Sequence, residues 1–390
     1  MNSSVLCGVF LLVLLSSQLP TICCTSGDDN SLNYISWSDL SDYRDLEAEG
    51  IFSPTRHIVV AKDGSGDSAS IQAAVDMIPH NNAQRVKILI YPGVYRERLH
   101  IPRTKPYISL IGNGSAEVTI TYNAKASDKD MYGRVLGTYG TATVDVASDY
   151  FVATELTIEN TIDARGGGVG MQAVALKVSG DKAMFFRVTV RGTQDTILDL
   201  TGTHYYYQCF IQGSVDFICG NARSLFEDCT LKSMARRSGA IAAHHRNSTE
   251  ENTGFSFYKC KVTGTGINYL GRAWGRYARI VYSLCRFQNI INPSGWADWG
   301  DPSRQQTVTF GEYECRGRGA DKTNRVGWAK NFSPEEVGPY MDKSFIDAAH
   351  EIYACVRAGD ALFLSAWKLA VDSVISRGQV LDMESTRPFT

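Results

Sequence analysis

Phe185-Phe186-Arg187-Val188-Thr189-Val190-Arg191-Gly192 and Tyr206-Tyr207-Gln208-Cys209-Phe210-Ile211-Gln212-Gly213 are one pattern written twice, 21 residues apart. Further copies begin at Phe226, Phe257 and Tyr282. Aligned, they give one column of Val188, Cys209, Cys229, Cys260 and Cys285, which Cys315 extends. Two residues on stands a second column of Val190, Ile211, Leu231, Val262 and Phe287. Leu156 and Ile158 are a weaker copy upstream. The first column is spaced 21, 20, 31, 25 and 30 residues. A regular core with irregular spacing describes a constant coil from which loops of different length grow. Alternation with a period of two identifies each unit as strand. The breaks Gly192-Thr193, Gly213-Ser214 and Gly264-Thr265-Gly266 turn the chain between strands. The expected fold is all-β, a right-handed parallel β-helix. A β-sandwich is the rival, but sandwich strands do not keep a column in phase over six copies.

The same phase places two acids. Val188 to Asp195 is seven residues, and Cys209 to Asp216 is also seven. Asp195 and Asp216 therefore leave neighbouring coils at one corner, with coils about 4.8 Å apart. Two carboxylates that close do not both ionise readily, so one is expected to hold a proton near neutrality. Gln172 precedes Asp195 by 23 residues, roughly one coil further back.

The chain has 390 residues, 44% hydrophobic and 21% charged, with a net charge of −2. That suits one large domain with ample core and gives no case for a nucleic-acid partner. Val5 to Leu15 is apolar and small residues follow near Cys23, so residues 1–24 read as a signal peptide and predict secretion. The run is too short to span a membrane. Residues 25–55, polar and acidic, read as a linker. Cys7, Cys23 and Cys24 would leave with the signal, and the seven that remain mostly share the repeat column. Their default role is that of small buried side chains, although an adjacent-coil pair such as Cys229 and Cys260 could form a disulfide. No CxxC pair exists, so no zinc site is expected. Ser70 to Pro79 reads as a short amphipathic helix capping the N-terminal end, with Ile71, Ala74, Val75 and Ile78 on one face. Asn113, Asn247 and Asn331 head glycosylation patterns. His244-His245 would place its two side chains on opposite faces of a strand, which argues against a metal site.

Five blocks, taken in order, identify a resemblance. They are Gly93-Val94-Tyr95-Arg96-Glu97, Gln172-Ala173-Val174-Ala175-Leu176, Gln194-Asp195-Thr196, Val215-Asp216-Phe217-Ile218 with Gly220-Asn221-Ala222, and Leu270-Gly271-Arg272-Ala273-Trp274. Together they resemble the plant pectin methylesterases over residues 56–346, in the short form without an inhibitory pro-region. The resemblance implies a secreted cell-wall enzyme that removes methyl esters from homogalacturonan without metal or cofactor. It implies that Asp216 is the nucleophile and Asp195 the general acid and base. Gln172 and Gln194 would stabilise the oxyanion, and Arg272 would bond Asp216. Thr143, Phe217, Trp274 and Trp299 would meet the sugar chain, together with Gln172 and Arg272. A monomer is expected, with methyl-esterified homogalacturonan and a proteinaceous pectinesterase inhibitor as partners.

The sequence departs from the family pattern at Thr193, Cys219 and Ala273, where an aromatic residue, a Phe and a Pro are frequent. Residues 347–390 run on without a match, and Asp360 to Ser376 could form an amphipathic helix. That tail reads as an altered gene model or splice product whose native end-cap is missing. A pectate lyase would need a calcium-binding acid cluster, and a polygalacturonase paired acids with its own Arg and Lys signature; neither set is present. The remaining alternative is a catalytically silent β-helix that binds pectin.

Overall fold

The computed structural model describes residues 56–112 and 118–348. The expected signal, linker and Asn113 acceptor, and the helix expected near Asp360, fall outside the described residues. Within them the chain winds a right-handed parallel β-helix, as the repeat requires. One coil shows the plan. Ala183–Phe186 lies in the first ladder, Thr189–Arg191 in the second and Ile197–Asp199 in the third, and the next coil restarts at Thr203–Tyr207. Every strand pairing between coils is parallel, and the first ladder is an 11-stranded sheet. Long strands Thr230–His244 and Lys261–Arg272 run through both the second and third ladders.

The sequence columns are physical columns. Ile158, Val190, Ile211, Leu231, Val262 and Phe287 are neighbours in register across successive coils. All six are almost fully buried inside the helix. Burying each such side chain is worth roughly 1.5–3 kcal/mol, and the repeat multiplies it. A third column runs through the first ladder as stacked rings: Phe185, Tyr206, Phe226, Phe257 and Tyr282, with centroids 4.4–4.8 Å apart. The coil spacing matches the stacking distance of aromatic rings, so each coil adds a favourable ring pair.

From Glu155 onward, each coil turns between the first and second ladders on one residue with positive φ: Glu155, Arg187, Gln208, Asp228, Lys259, Leu284 and Glu314. The residue after each is a member of the valine and cysteine column, which the turn throws inward. The cysteines Cys209, Cys219, Cys229, Cys260, Cys285 and Cys315 are free thiols. Cys229 and Cys260, the pair that could have formed a disulfide, keep the default role of small buried side chains. Cys229 Sγ donates to the Tyr206 carbonyl and Cys260 Sγ to the Phe226 carbonyl, so each thiol is spent on the coil before it.

The N-terminal end is closed by a helix. Ile71–Asp76 covers the first coil with Ile71, Ala74 and Val75 buried. Ser70 caps it, and the Glu97 carboxylate accepts from the Ile71 and Gln72 amides at the helix N-terminus. Near the other end, helix Pro334–Met341 begins with a Ser333–Glu336 capping box. The turn after it lays Phe345, Ile346 and Ala348 against Val152, Met184, Tyr205 and Leu225 on the outer face of the first ladder. Asp347 pairs with Arg223, so the chain is still packed at the point where a divergent tail was expected to begin.

Candidate active site

The site forms on the third ladder and the corner that precedes it. Ile197 pairs with Ile218, so Asp195 and Asp216, each two residues earlier, occupy equivalent places on adjacent coils. Both have positive φ, 58° and 47°. Side chains with that backbone conformation are uncommon, and they cluster where structure over-determines them. Here the turn is held by the Gln194–Val215 bridge and by the Asp195 amide donating to the Val215 carbonyl at 3.2 Å. Gly213 makes the turn possible, because a Cβ there would lie 2.1 Å from the Cβ of Phe217.

The pocket floor is one outward column of the third ladder. Leu198, Cys219, Ala243 and Arg272 succeed one another in register over four coils. Arg272 therefore starts two coils beyond Asp216 and reaches back over the small side chains of Ala243 and Cys219. Its Nε donates to Asp216 Oδ1 at 2.8 Å, and its second nitrogen donates to Oδ2, a bidentate pair. The guanidinium also lies over the ring of Trp299, 4.0 Å from its centroid. Gly271 is fixed by packing beneath this residue. A Cβ there would meet the buried ring of Trp296 at 2.9 Å.

A pocket of about 350 Å³ gathers Gln172, Gln194, Asp195, Asp216, Arg272, Trp274 and Trp299. Burial pushes the Asp195 carboxyl up to about 8, the Asp216 charge adds to this, and Arg272 opposes it. Asp216 is raised by burial as well, but its two hydrogen bonds to Arg272 pull it back. The proton held by the pair therefore resides on Asp195 at neutral pH, and Asp216 is the ionised partner. Among the described residues, the side-chain amides of Gln172 and Gln194 have no hydrogen-bond partner in the protein, so their donors are available to a ligand. Cys219, on the floor, is held as a thiol far above its usual range by burial and by the neighbouring acids, and offers no competing nucleophile.

Two residues expected to meet a sugar do not border the pocket. Phe217 is fully buried in the central core. The positive φ of Asp216 breaks the alternation, so the residue after it turns inward. Thr143 is fully buried and donates its hydroxyl to the Glu159 carbonyl at 2.9 Å. Trp274 and Trp299 are present at the rim, with Trp274 packed on His245 at 4.3 Å between centroids. Tyr139, 53% exposed, joins them from a turn between Gly137 and Gly140. An aromatic residue between two glycines was the only sequence signal for it. Arg304 holds the Trp274 loop by donating to the Ala273 and Trp274 carbonyls.

The histidine pair divides as its spacing suggested. His244 is fully buried with its pKa pushed down to about 3 by burial, and it accepts from the Arg246 and Arg279 amides. His245 lies on the outer side against Trp274. Among the described residues, no three His, Cys, Asp or Glu side chains are placed to hold a metal ion.

The profile of the family Pectinesterase matches residues 57–349. The chain is 52% identical over 343 residues to pectinesterase QRT1 of Arabidopsis thaliana, covering 82% of this chain and 90% of that one. Among solved structures, pectin methylesterase from carrot superposes with a TM-score of 0.69 at 32% identity, covering 76% of this chain and 94% of that one. Pectin methylesterase from Aspergillus niger gives 0.64 at 29%, covering 75% and 94%.

Proposed function

We propose a reaction course from one premise, that the chain belongs to the pectinesterase family and is an enzyme of its kind. The substrate is a methyl-esterified galacturonate unit of pectin. The ionised Asp216, aimed by Arg272, attacks the ester carbonyl carbon. Negative charge develops on the carbonyl oxygen and is met by the Gln172 and Gln194 amide donors. The tetrahedral adduct collapses as Asp195 gives its proton to the departing methoxide, and methanol leaves. An anhydride now joins Asp216 to the substrate acyl group. Asp195, now a carboxylate, takes a proton from water while the water oxygen attacks the acyl carbon. Asp216 leaves as a carboxylate, the product acid loses its remaining proton to solvent, and Asp195 is protonated again. The rims of Trp274, Trp299 and Tyr139 offer ring faces to the sugars.

The observation that carries this reading is an asymmetric acid pair: one carboxylate held ionised by a bidentate arginine, its neighbour protonated by burial, beside two amides without partners. Action outside the cell is the setting we infer from the apolar run Val5 to Leu15. The test is methanol release from highly methylated homogalacturonan, with an Asp216→Asn variant alongside. Methanol from the wild type alone supports the reaction and the nucleophile together. A well-folded wild type that binds pectin without releasing methanol would favour the silent binding protein instead.

A further inference from the structure

Gln172 is aimed by its backbone alone. Among the described residues its side-chain amide has no hydrogen-bond partner, and it stands outside the ladders, in the chain that precedes strand Leu176–Val178. Asp195 and Asp216 differ, since each turns at a corner that the next coil repeats in register. Whatever fixes the segment around Gln172 therefore fixes an oxyanion donor.

Three pieces of irregular chain meet there. Residues 124–127 and 170–174 run antiparallel: the Ala126 amide donates to the Gln172 carbonyl at 2.8 Å and the Ser127 amide to the Gly170 carbonyl at 2.9 Å. The turn that carries Tyr139 joins them. The Gly137 amide donates to the Ala126 carbonyl at 3.0 Å, and the Val174 amide donates to the Thr141 hydroxyl at 3.0 Å. Asn160 stands at the meeting point. It ends strand Thr157–Asn160, two residues after the core residue Ile158, so its side chain points inward as well. It is 2% exposed. Its Nδ2 donates to the Ala124 carbonyl at 2.9 Å and to the Val174 carbonyl at 3.1 Å, with the Thr141 carbonyl at 3.5 Å. Its Oδ1 accepts from the Ile162 amide at 3.2 Å. The three segments thus turn carbonyls towards one another, and buried acceptors do not hold together without a donor between them. One amide group supplies it. A carboxylate of the same shape would set an oxygen against the others.

We infer that Asn160 is the positioning residue for Gln172. It does not line the catalytic pocket; it locks the segment that aims the Gln172 amide at the developing oxyanion. The assignment rests on the esterase reading of that pocket. The Val174 peptide is fixed on both sides, its N–H by Thr141 and its carbonyl by Asn160, and Gln172 lies two residues before it. The same clamp holds the Tyr139 turn, so one buried side chain sets both a donor and an aromatic wall of the pocket.

The experiment is a double-mutant cycle on the full chain. The kcat for methanol release from methylated homogalacturonan is measured for Asn160→Ala in the wild-type and in a Gln172→Ala background. The expected result is a kcat about tenfold lower in the wild-type background, as a misplaced oxyanion donor costs, and no further loss once the Gln172 amide is gone. The same factor in both backgrounds, or no loss in either, overturns the inference, because a merely structural asparagine weakens both enzymes alike. Where Asn160→Ala does not fold, Thr141→Val carries the cycle. It keeps the side-chain shape and removes the hydroxyl that holds the Val174 amide, and a loss of about threefold that disappears in the Gln172→Ala background is expected. Amide hydrogen exchange of the same variant is followed beside wild type. Faster exchange confined to 124–127 and 171–175, with the ladders as protected as in wild type, upholds the clamp even if the wild type releases no methanol, which would remove the esterase reading alone. Unchanged exchange in those segments, or an equal increase in every ladder, sinks the inference even if the esterase reaction is sound.

Discussion

Asp195 and Asp199 sit four residues apart on one coil, and they live opposite lives. Asp199 is fully buried and saturated with donors. His204 Nδ1 and the Tyr206 hydroxyl bond one oxygen, and the Ser224 hydroxyl bonds the other. His204 gives its second N–H to the Gly180 carbonyl at 2.7 Å. Burial pulls the His204 pKa down, but the Asp199 carboxylate outweighs it, so the pair is an ion pair sealed in the core. Asp195 has the reverse arrangement: a pocket open to ligand, no donor to its side chain, and a second acid for a neighbour. Burial alone does not make an acid reactive. A buried acid given every partner stabilises the fold, and one denied them stores a proton for chemistry.

The comparison can be broken by experiment. The largest effect is expected at Asp216, where Asn should cost on the order of 10⁴-fold or more in kcat, the scale of a lost nucleophile, with the thermal melt unchanged. An equally large fall in melting temperature would mean that the catalytic pair is structural after all. Next in size, Asp199→Asn should destabilise the fold by about 3 kcal/mol by stranding a buried His204 charge. Urea unfolding reads this, and the activity of each molecule that remains folded should match wild type. Gln194→Ala should lower kcat about 10²-fold, the cost of one oxyanion donor, with little change in stability. A stability loss without a kcat loss would return this glutamine to a structural role.

The smallest and most discriminating test is pH. With its folded pKa raised to about 8, Asp195 holds a proton in the native state that an unfolded carboxylate releases near pH 4. Native stability from this residue is therefore full at low pH and is lost as pH rises from about 4 to about 8. Asp195→Asn should remove that dependence, so the variant's advantage over wild type grows across this window. Wild-type turnover should fall above about pH 8 as the general acid is lost. A stability profile that is the same in both proteins would place the proton elsewhere.

Much of this was legible in the sequence because a solenoid writes its geometry as spacing. The columns, the capping helix and the equivalence of Asp195 and Asp216 all follow from phase. Arg272 does not, since two coils and 56 residues separate it from its partner, and only a motif resemblance pointed to it. Phe217 and Thr143 were implied by the resemblance alone, and a different local cause buries each. Alternation assigns a face only while the backbone stays extended and the outer face stays bare. At Asp216 the backbone is left-handed, and at Thr143 the outer face is covered by the chain around Glu159 and Val174. The aromatic stack was present in the aligned phrases as their first letter, three residues before the cysteine column, and would have shown the core's second wall.

The single left-handed residue at each first corner has a consequence for how such a protein can change. The coils differ in length, yet that corner recurs in each one from Glu155 to Glu314. Long insertions fall elsewhere, among them 161–175, which brings Gln172 to the catalytic pocket, and 288–308, which brings Trp299 there. The corner acts as a reading frame. It resets the count once per turn, so insertions and deletions on the opposite side never propagate into the core. Variation is thereby steered to the substrate side, and the groove can be rewritten loop by loop while the spine keeps time.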